Sequence, residues 1–144
     1  MAFEFARNVK DAGLIKTKAL PAAAGTNQTD TFDTGRLSTY PLPEGIEFEI
    51  SIPAIAAHTD TTKNVVIKVQ HSGDDITYGD LDTGTEALAD VVITHPGVAS
   101  TGSVARVVRV KLPSNVFRYI QFNQTVDSGA PSLVASSVTY SMVF

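Results

Sequence analysis

Apolar and polar residues alternate one by one along much of the chain, most clearly from residue 46 to the last residue. Because successive side chains of an extended strand point to opposite faces, this period of two predicts strands with one apolar and one polar face. The apolar faces of the clearest strands are Ile46, Phe48, Ile50 and Ile52; Val65, Ile67 and Val69; Val108, Val110 and Leu112; Ile120 and Phe122; and Val134, Val138, Tyr140, Met142 and Phe144. We therefore expect the last residues to be part of a sheet.

Weaker patterns bring the predicted total to about eight or nine strands. They lie over residues 14–20, 28–33, 76–81 and 87–94. Val107 breaks the alternation between residues 104 and 112, so we expect that strand to be buried on both faces. A helix is tolerated only over residues 85–90, and a run of β-branched residues follows at once. The chain is therefore predicted to be nearly all β.

The turn signals favour long connections over tight hairpins. The sequence contains no Asn-Gly or Asp-Gly pair, the strongest mark of a two-residue hairpin loop. Loops of several residues are predicted instead over 22–27, 58–63, 95–103 and 127–132. Loops of this length can cross between two sheets, as they do in Greek-key sandwiches. We expect an all-β, single-domain antiparallel β-sandwich, a jelly roll of about eight strands, with an immunoglobulin-like sandwich as the neighbouring alternative.

Length and composition narrow the class of protein. The 144 residues suit one domain, which we place at residues 13–144 after an extended N-terminal arm over residues 1–12. The net charge of −4 and the pI near 5.2 argue against a nucleic-acid partner, which would require a basic patch. No stretch approaches the ~20 apolar residues of a membrane helix, and the first ten residues do not resemble a secretory signal. We expect no membrane partner.

Residue types suited to catalysis or metal binding are sparse. His58, His71 and His95 lie in separate predicted loops or strand ends, without the His-x-His pair of a metal centre on a jelly roll. We therefore interpret them as surface residues. Ser72, His71 and Asp74 have the residue types of a catalytic Ser-His-Asp triad. Neighbouring residues of a strand point to opposite faces, however, so these side chains are not expected to form the relay. We expect no enzymatic activity, no metal and no cofactor.

Negative charge is concentrated between residues 74 and 90, where the chain has no Lys or Arg. Three interpretations stay open: a solvated loop, a calcium-binding loop that lacks the full EF-hand pattern, and a contact patch for a basic partner. The start of the chain is basic instead. The candidate partner contacts are Arg7, Lys10, Asp74, Asp75, Asp80, Asp82 and Glu86.

Several short segments follow one another in an order that resembles a known family. They are Lys-Ala-Leu-Pro over 18–21, the polar stretch 26–35, the strand beginning near Ile46, residues 66–70 followed by Ser-Gly-Asp, Leu-Pro at 112–113, and residues 118–122 before a Gly-bearing turn and a terminal strand. In this layout the chain resembles the cement, or decoration, proteins that coat the heads of tailed bacteriophages. The resemblance is to the jelly-roll type of a short-tailed Bordetella phage in particular.

This resemblance implies a structural virion protein, made in the host cytoplasm, that binds the outside of a phage head and clamps its subunits together. The implied partners are the major capsid protein and other copies of the chain, in a homodimer or, as second choice, a homotrimer. The alternative is a jelly-roll tail or fibre module for a host receptor or glycan, although the absence of Trp counts against glycan stacking. If the arm contacts the shell, deletion of residues 1–10 should weaken head binding.

Overall fold

A computed structural model describes residues 14–35, 47–81, 92–112 and 116–143 of the chain. The elements within these ranges are β1 Ile15–Ala19, β2 Thr26–Gln28, β3 Phe32–Asp33, β4 Glu47–Ile52, β5 Asn64–Ser72, β6 Gly79–Asp80, β7 Val92–Pro96, β8 Arg106–Lys111, β9 Tyr119–Val126 and β10 Ser137–Val143. In the described part of the chain, no helix is long and apolar enough to cross a membrane. The prediction of an all-β chain is confirmed.

The strands form two antiparallel sheets. The first sheet has the order β1-β10-β4-β8. In the second sheet β9 and β5 are central; β2 and β3 pair one after the other with β9, and β6 and β7 pair with β5. Because β2 and β3 share one position and β6 and β7 share another, the two sheets together hold eight strand positions.

The order of these positions defines a jelly roll. Numbered along the chain, they run 1-8-3-6 in the first sheet and 2-7-4-5 in the second. Every step to the next position crosses between the sheets, except the step from β5 to β6. Two interlocked Greek keys produce this pattern, which differs from the strand order of an immunoglobulin-like sandwich. The predicted jelly roll and its long crossing loops are confirmed.

Every second residue of the main strands faces the core, as the sequence pattern predicts. Strands β5 and β9 make the longest pairing, from Val65 opposite Val126 to Ser72 opposite Tyr119. The buried residues of the predicted apolar faces are Phe48, Ile50 and Ile52 of β4; Val65, Ile67 and Val69 of β5; Val110 of β8; Leu112; Ile120 and Phe122 of β9; and Val138, Tyr140 and Met142 of β10. The apolar faces of both sheets therefore pack against each other.

Four aromatic rings join the sheets at the centre of this core. Phe48 of the first sheet lies with its ring centroid 5.0 Å from both Phe32 and Phe122 of the second, in edge-to-face contacts. Tyr140 of the first sheet stacks on Phe122 at 4.4 Å. Its hydroxyl accepts a hydrogen bond of 2.7 Å from the buried Gln124 amide. Such aromatic pairs stabilise a fold by more than the burial of their apolar surface alone contributes.

Three strand predictions require correction. Val107 is 61% exposed, so β8 is buried on one face and the prediction of two buried faces is wrong. Val134 is 50% exposed in the turn before β10, because the strand begins only at Ser137. Ile76 lies in a turn, since the predicted strand over 76–81 forms only at Gly79–Asp80. The expectations for Ile46, Phe144, residues 85–90 and the arm over 1–12 lie outside the described residues.

Truncation of a ring in the cluster should destabilise the fold strongly. We expect Phe122→Ala to lower the free energy of unfolding by about 3–5 kcal/mol, because the lost ring contacts both sheets and leaves a cavity. The matched control is Val107→Ala on the exposed face of β8, with an expected change within about 0.5 kcal/mol. Urea unfolding followed by circular dichroism measures both. Equal effects of the two variants would contradict the assigned core.

Candidate functional site

Three segments meet at the end of the second sheet where β5 ends and β9 begins. They are residues 31–35 around β3, residues 73–78 between β5 and β6, and residues 116–118 before β9. Ser72 pairs with Tyr119, and Tyr119 pairs with Asp33, so the three segments are neighbours in space. We call the surface formed by these three segments the hairpin end.

Asp74 holds the connection between β5 and β6 in one conformation. Its Oδ1 accepts hydrogen bonds from the backbone N–H of Thr77 at 2.9 Å, from that of Ile76 at 3.0 Å and from the Ser72 hydroxyl at 2.8 Å. The bond from Thr77 is the largest cause that lowers the pKa of Asp74 to about 2, since each bond favours the ionised carboxylate. Asp74 is therefore ionised at neutral pH and shapes the turn through its side chain.

Asp75 connects the same turn to the segment before β3. Its backbone is in the left-handed region, with a φ of 59°. Its Oδ1 accepts hydrogen bonds from the Tyr78 hydroxyl and, at 2.8 Å, from the Thr31 hydroxyl. Partial burial and the bond to Asp75 raise the pKa of Tyr78 to about 12, so its hydroxyl keeps the proton that it donates. The turn is thus fixed to a second segment of the chain.

An ion pair and a ring stack order the remaining segments. Arg118 Nε and Nη2 each lie 2.7 Å from a different carboxylate oxygen of Asp33. The bond from Arg118 is the largest cause that lowers the pKa of Asp33. The Phe117 N–H donates to His71 Nδ1 at 3.2 Å, and the two rings stack with centroids 4.5 Å apart. Burial lowers the pKa of His71, which favours the neutral ring that accepts this bond.

Two large apolar side chains remain exposed at the hairpin end. Ile76 is 83% exposed at the turn, and Phe117 is 52% exposed. The backbone N–H of each residue donates a hydrogen bond, that of Ile76 to the Asp74 carboxylate and that of Phe117 to His71 Nδ1. A side chain presented on ordered backbone loses less conformational freedom on binding than one in a mobile loop. The hairpin end therefore has the properties of a protein contact surface.

Negative charge lies beside these apolar side chains. Within the described residues, Asp74 accepts its hydrogen bonds from backbone N–H groups and a hydroxyl. Asp75 accepts from two hydroxyls. These donors are neutral, so they leave the net charge of the two carboxylates unbalanced. The surface is therefore suited to a partner with basic side chains around an apolar contact.

The structure separates the other predicted contact residues. Asp80 lies on the outer face of the second sheet, where it accepts from Lys68 Nζ at 3.1 Å and from Gln70 Nε2 at 2.9 Å. Asp74, Asp75 and Asp80 thus bind different donors, and no group of three or more metal-ligating side chains occurs among the described residues. These three carboxylates give the calcium interpretation no support. The residues that lie outside the described ranges are Arg7, Lys10, Asp82 and Glu86.

The apolar part of the site could not be predicted from the sequence. Ile76 and Phe117 carry no signal of exposure, because either residue could equally be in the core. Asp74 did carry a signal for its structural role. An Asp that precedes Ile76 and Thr77 by two and three residues is typical of a turn in which the carboxylate accepts from the backbone N–H groups that follow.

The histidines also differ from their predicted positions. His58 and His95 are 0% and 3% exposed and lie with ring centroids 6.2 Å apart, so their interpretation as surface residues is wrong. His95 lies in β7 opposite Val65, and His58 lies in the loop before β5 with its Nε2 3.1 Å from the His95 carbonyl oxygen. The catalytic triad of Ser72, His71 and Asp74 does not form, because the Ser72 hydroxyl donates to Asp74 and His71 Nδ1 accepts from the backbone N–H of Phe117.

Comparison with known proteins leaves the family open. No protein-family model matches the chain, and no curated protein matches it. The crystal structure of PBSX exported protein XepA is similar, with a TM-score of 0.47 and 14% sequence identity, over 99% of this chain and 50% of that chain. The chain thus spans half the length of that protein. A likeness of this size does not assign a function.

Removal of the Asp74 carboxylate should loosen the turn without unfolding the sandwich. We expect Asp74→Ala to raise the hydrogen-exchange rates of the Ile76 and Thr77 amides at least about tenfold, because both lose their acceptor. The matched control is Asp60→Ala, since Asp60 accepts in the same way from Thr62 in another loop. NMR-detected exchange checks both variants. Unchanged exchange at Ile76 in Asp74→Ala would contradict the role of this carboxylate.

Proposed function

We propose that the chain is a capsid cement protein that binds the outside of a tailed-phage head and stabilises contacts between major capsid protein subunits. The observation that carries this proposal is the hairpin end, where Ile76 and Phe117 are exposed on ordered backbone beside unbalanced carboxylates. The proposed role is structural and includes no catalytic step. It places the protein in the virion, on the exterior of the capsid.

Two further features support the proposal. The jelly roll is the fold that the resemblance to the cement proteins implies, and the described strands have its order. The hairpin end is also joined by side-chain bonds across three segments, so it can meet a shell without first being ordered. Binding by many copies on one shell multiplies the effect of each contact, and each contact can therefore be weak.

The proposed partner surface is complementary to the hairpin end. It would present an apolar depression for Ile76 and basic side chains opposite Asp74 and Asp75. Charge pairs at the rim of an interface are screened by salt, so head binding should weaken as ionic strength rises. We propose in addition that the bound form is a homodimer or, as second choice, a homotrimer.

Co-sedimentation with heads of the source phage, stripped of loosely bound proteins, tests the function. We expect purified, labelled protein to bind saturably at a fixed ratio to the major capsid protein and to raise the temperature at which the heads open. Absence of saturable binding would overturn the proposal. Binding to host cells instead would favour the alternative, a tail or fibre module for a receptor or glycan.

A pair of variants tests the contact surface separately. We expect Ile76→Asp to weaken head binding at least about tenfold, equivalent to about 1.4 kcal/mol, since it places a charge in the apolar contact. The control is Val104→Asp, because Val104 is 69% exposed and lies away from the hairpin end. We expect this control to bind like the wild type. If the wild type binds saturably and Ile76→Asp binds equally well, the cement function would stand, and the hairpin end would not be the surface that contacts the head.

A further inference from the structure

Two loops pack closely at the start of β5, the opposite end of that strand from the hairpin end. Ile55 and Ser103 exchange two backbone hydrogen bonds of 2.9 and 3.1 Å, and the Val98 N–H donates to the His58 carbonyl at 3.0 Å. A Cβ at Gly102 would lie 2.4 Å from the Ile55 carbonyl oxygen, so this approach requires glycine. We call residues 55–60 and 95–103 the histidine corner.

The side chains of His58 and His95 form the buried polar centre of this corner. Nε2 of His58 lies 3.1 Å from the His95 carbonyl oxygen, which can only accept, so Nε2 carries the proton and Nδ1 is bare. Within the described residues, His58 Nδ1, His95 Nε2 and the Ser103 hydroxyl oxygen are buried without a hydrogen-bond partner. A proton on Nε2 of His95 would therefore find no acceptor there.

The charged groups around the two rings do little to stabilise an added proton. Arg106 on β8 and His58 both lower the pKa of His95 electrostatically, in addition to burial, which is the largest cause. Asp60 interacts with His58, but it is only partly buried and already accepts from Thr62. Lys63 follows in the same loop, and residues 97–105 contain no charged side chain. An imidazolium in the closed corner would therefore be poorly compensated.

We propose that the histidine corner is an acid-sensitive latch: it is closed while the ring of His95 is neutral, and it opens locally when that ring binds a proton. Opening exposes the His95 ring, near the end of β7, to water, which solvates the imidazolium, while the pairing of β5 with β9 stays intact. Because the pKa of His95 is lower in the closed form than its ordinary value of 6.5, closure is most stable above that pH and weakens as the pH falls below it. This inference does not depend on the proposed function.

Hydrogen exchange of the full chain at about pH 7.5 and about pH 5.5 tests the latch. Protection factors correct for the intrinsic pH dependence of exchange. We expect those of the Ile55, Val98 and Gly102 amides to fall roughly tenfold or more at the lower pH. The Phe122 amide in β9 and the Thr77 amide at the hairpin end should stay protected.

Two variants assign the effect to His95. His95→Gln keeps a polar side chain at this position and cannot titrate, so we expect it to reduce the pH dependence of protection in the corner. His71→Gln removes the third histidine, outside the corner, and should leave that pH dependence unchanged. NMR titration of the imidazoles in the wild type gives a readout that does not require any variant to fold.

Three results would overturn the latch. The first is protection in the corner that does not change with pH. The second is an equal loss of protection in the corner and in β9, which would indicate global unfolding. The third is titration of His95 at an ordinary pKa while the corner amides remain protected, since the closed corner would then accept the proton without cost.

Discussion

Contact between the aromatic rings of the two sheets is the interaction on which the rest of this structure depends. Phe32, Phe48, Phe122 and Tyr140 come from four strands that are far apart in sequence, and each sheet supplies two of them. None of these contacts can form inside one hairpin. The sheets must close on each other before the rings are buried, so the core forms through long-range pairing. Strand β10 is an example of this long-range pairing, since it lies between β1 and β4 in the first sheet.

Closure of the sandwich places polar groups at the two ends of β5 in opposite physical situations. At the hairpin end, the carboxylates of Asp74 and Asp75 are near water and accept several hydrogen bonds, and those to Asp74 favour its ionised form. In the histidine corner, His58 and His95 are enclosed and retain bare nitrogens. One end is therefore stabilised by an ionised carboxylate, whereas the other encloses two rings that each have an unpartnered nitrogen.

In the proposed function, the acidic residues of the hairpin end serve both local structure and recognition. Asp74 and Asp75 use their oxygens to order the turn, which leaves them less free to converge on a metal ion. Their charge is still directed to solvent, next to Ile76. An ordered turn with an exposed apolar residue and adjacent charge can recognise a surface through a small contact, and repetition over a shell makes small contacts sufficient.

The period-two alternation by itself determined that the chain is all β and which residues of β4, β5, β9 and β10 face the core, and the turn signals indicated that long loops join the sheets. Those features are local, because the period of a strand is a property of its own backbone. The alternation did not determine that Val107 is exposed, since exposure at that position depends on which face another sheet covers.

Only the tertiary structure decided which loops meet. Nothing in the residues around Ile76 and Phe117 indicates that the folded chain places them at one end, or that Asp75 binds Thr31 across 44 positions of sequence. The same holds for His58 and His95, which the sequence presents as isolated polar residues and the fold buries together. Local pattern reports the conformation of a segment, whereas proximity and burial arise from the packing of segments that are distant along the chain.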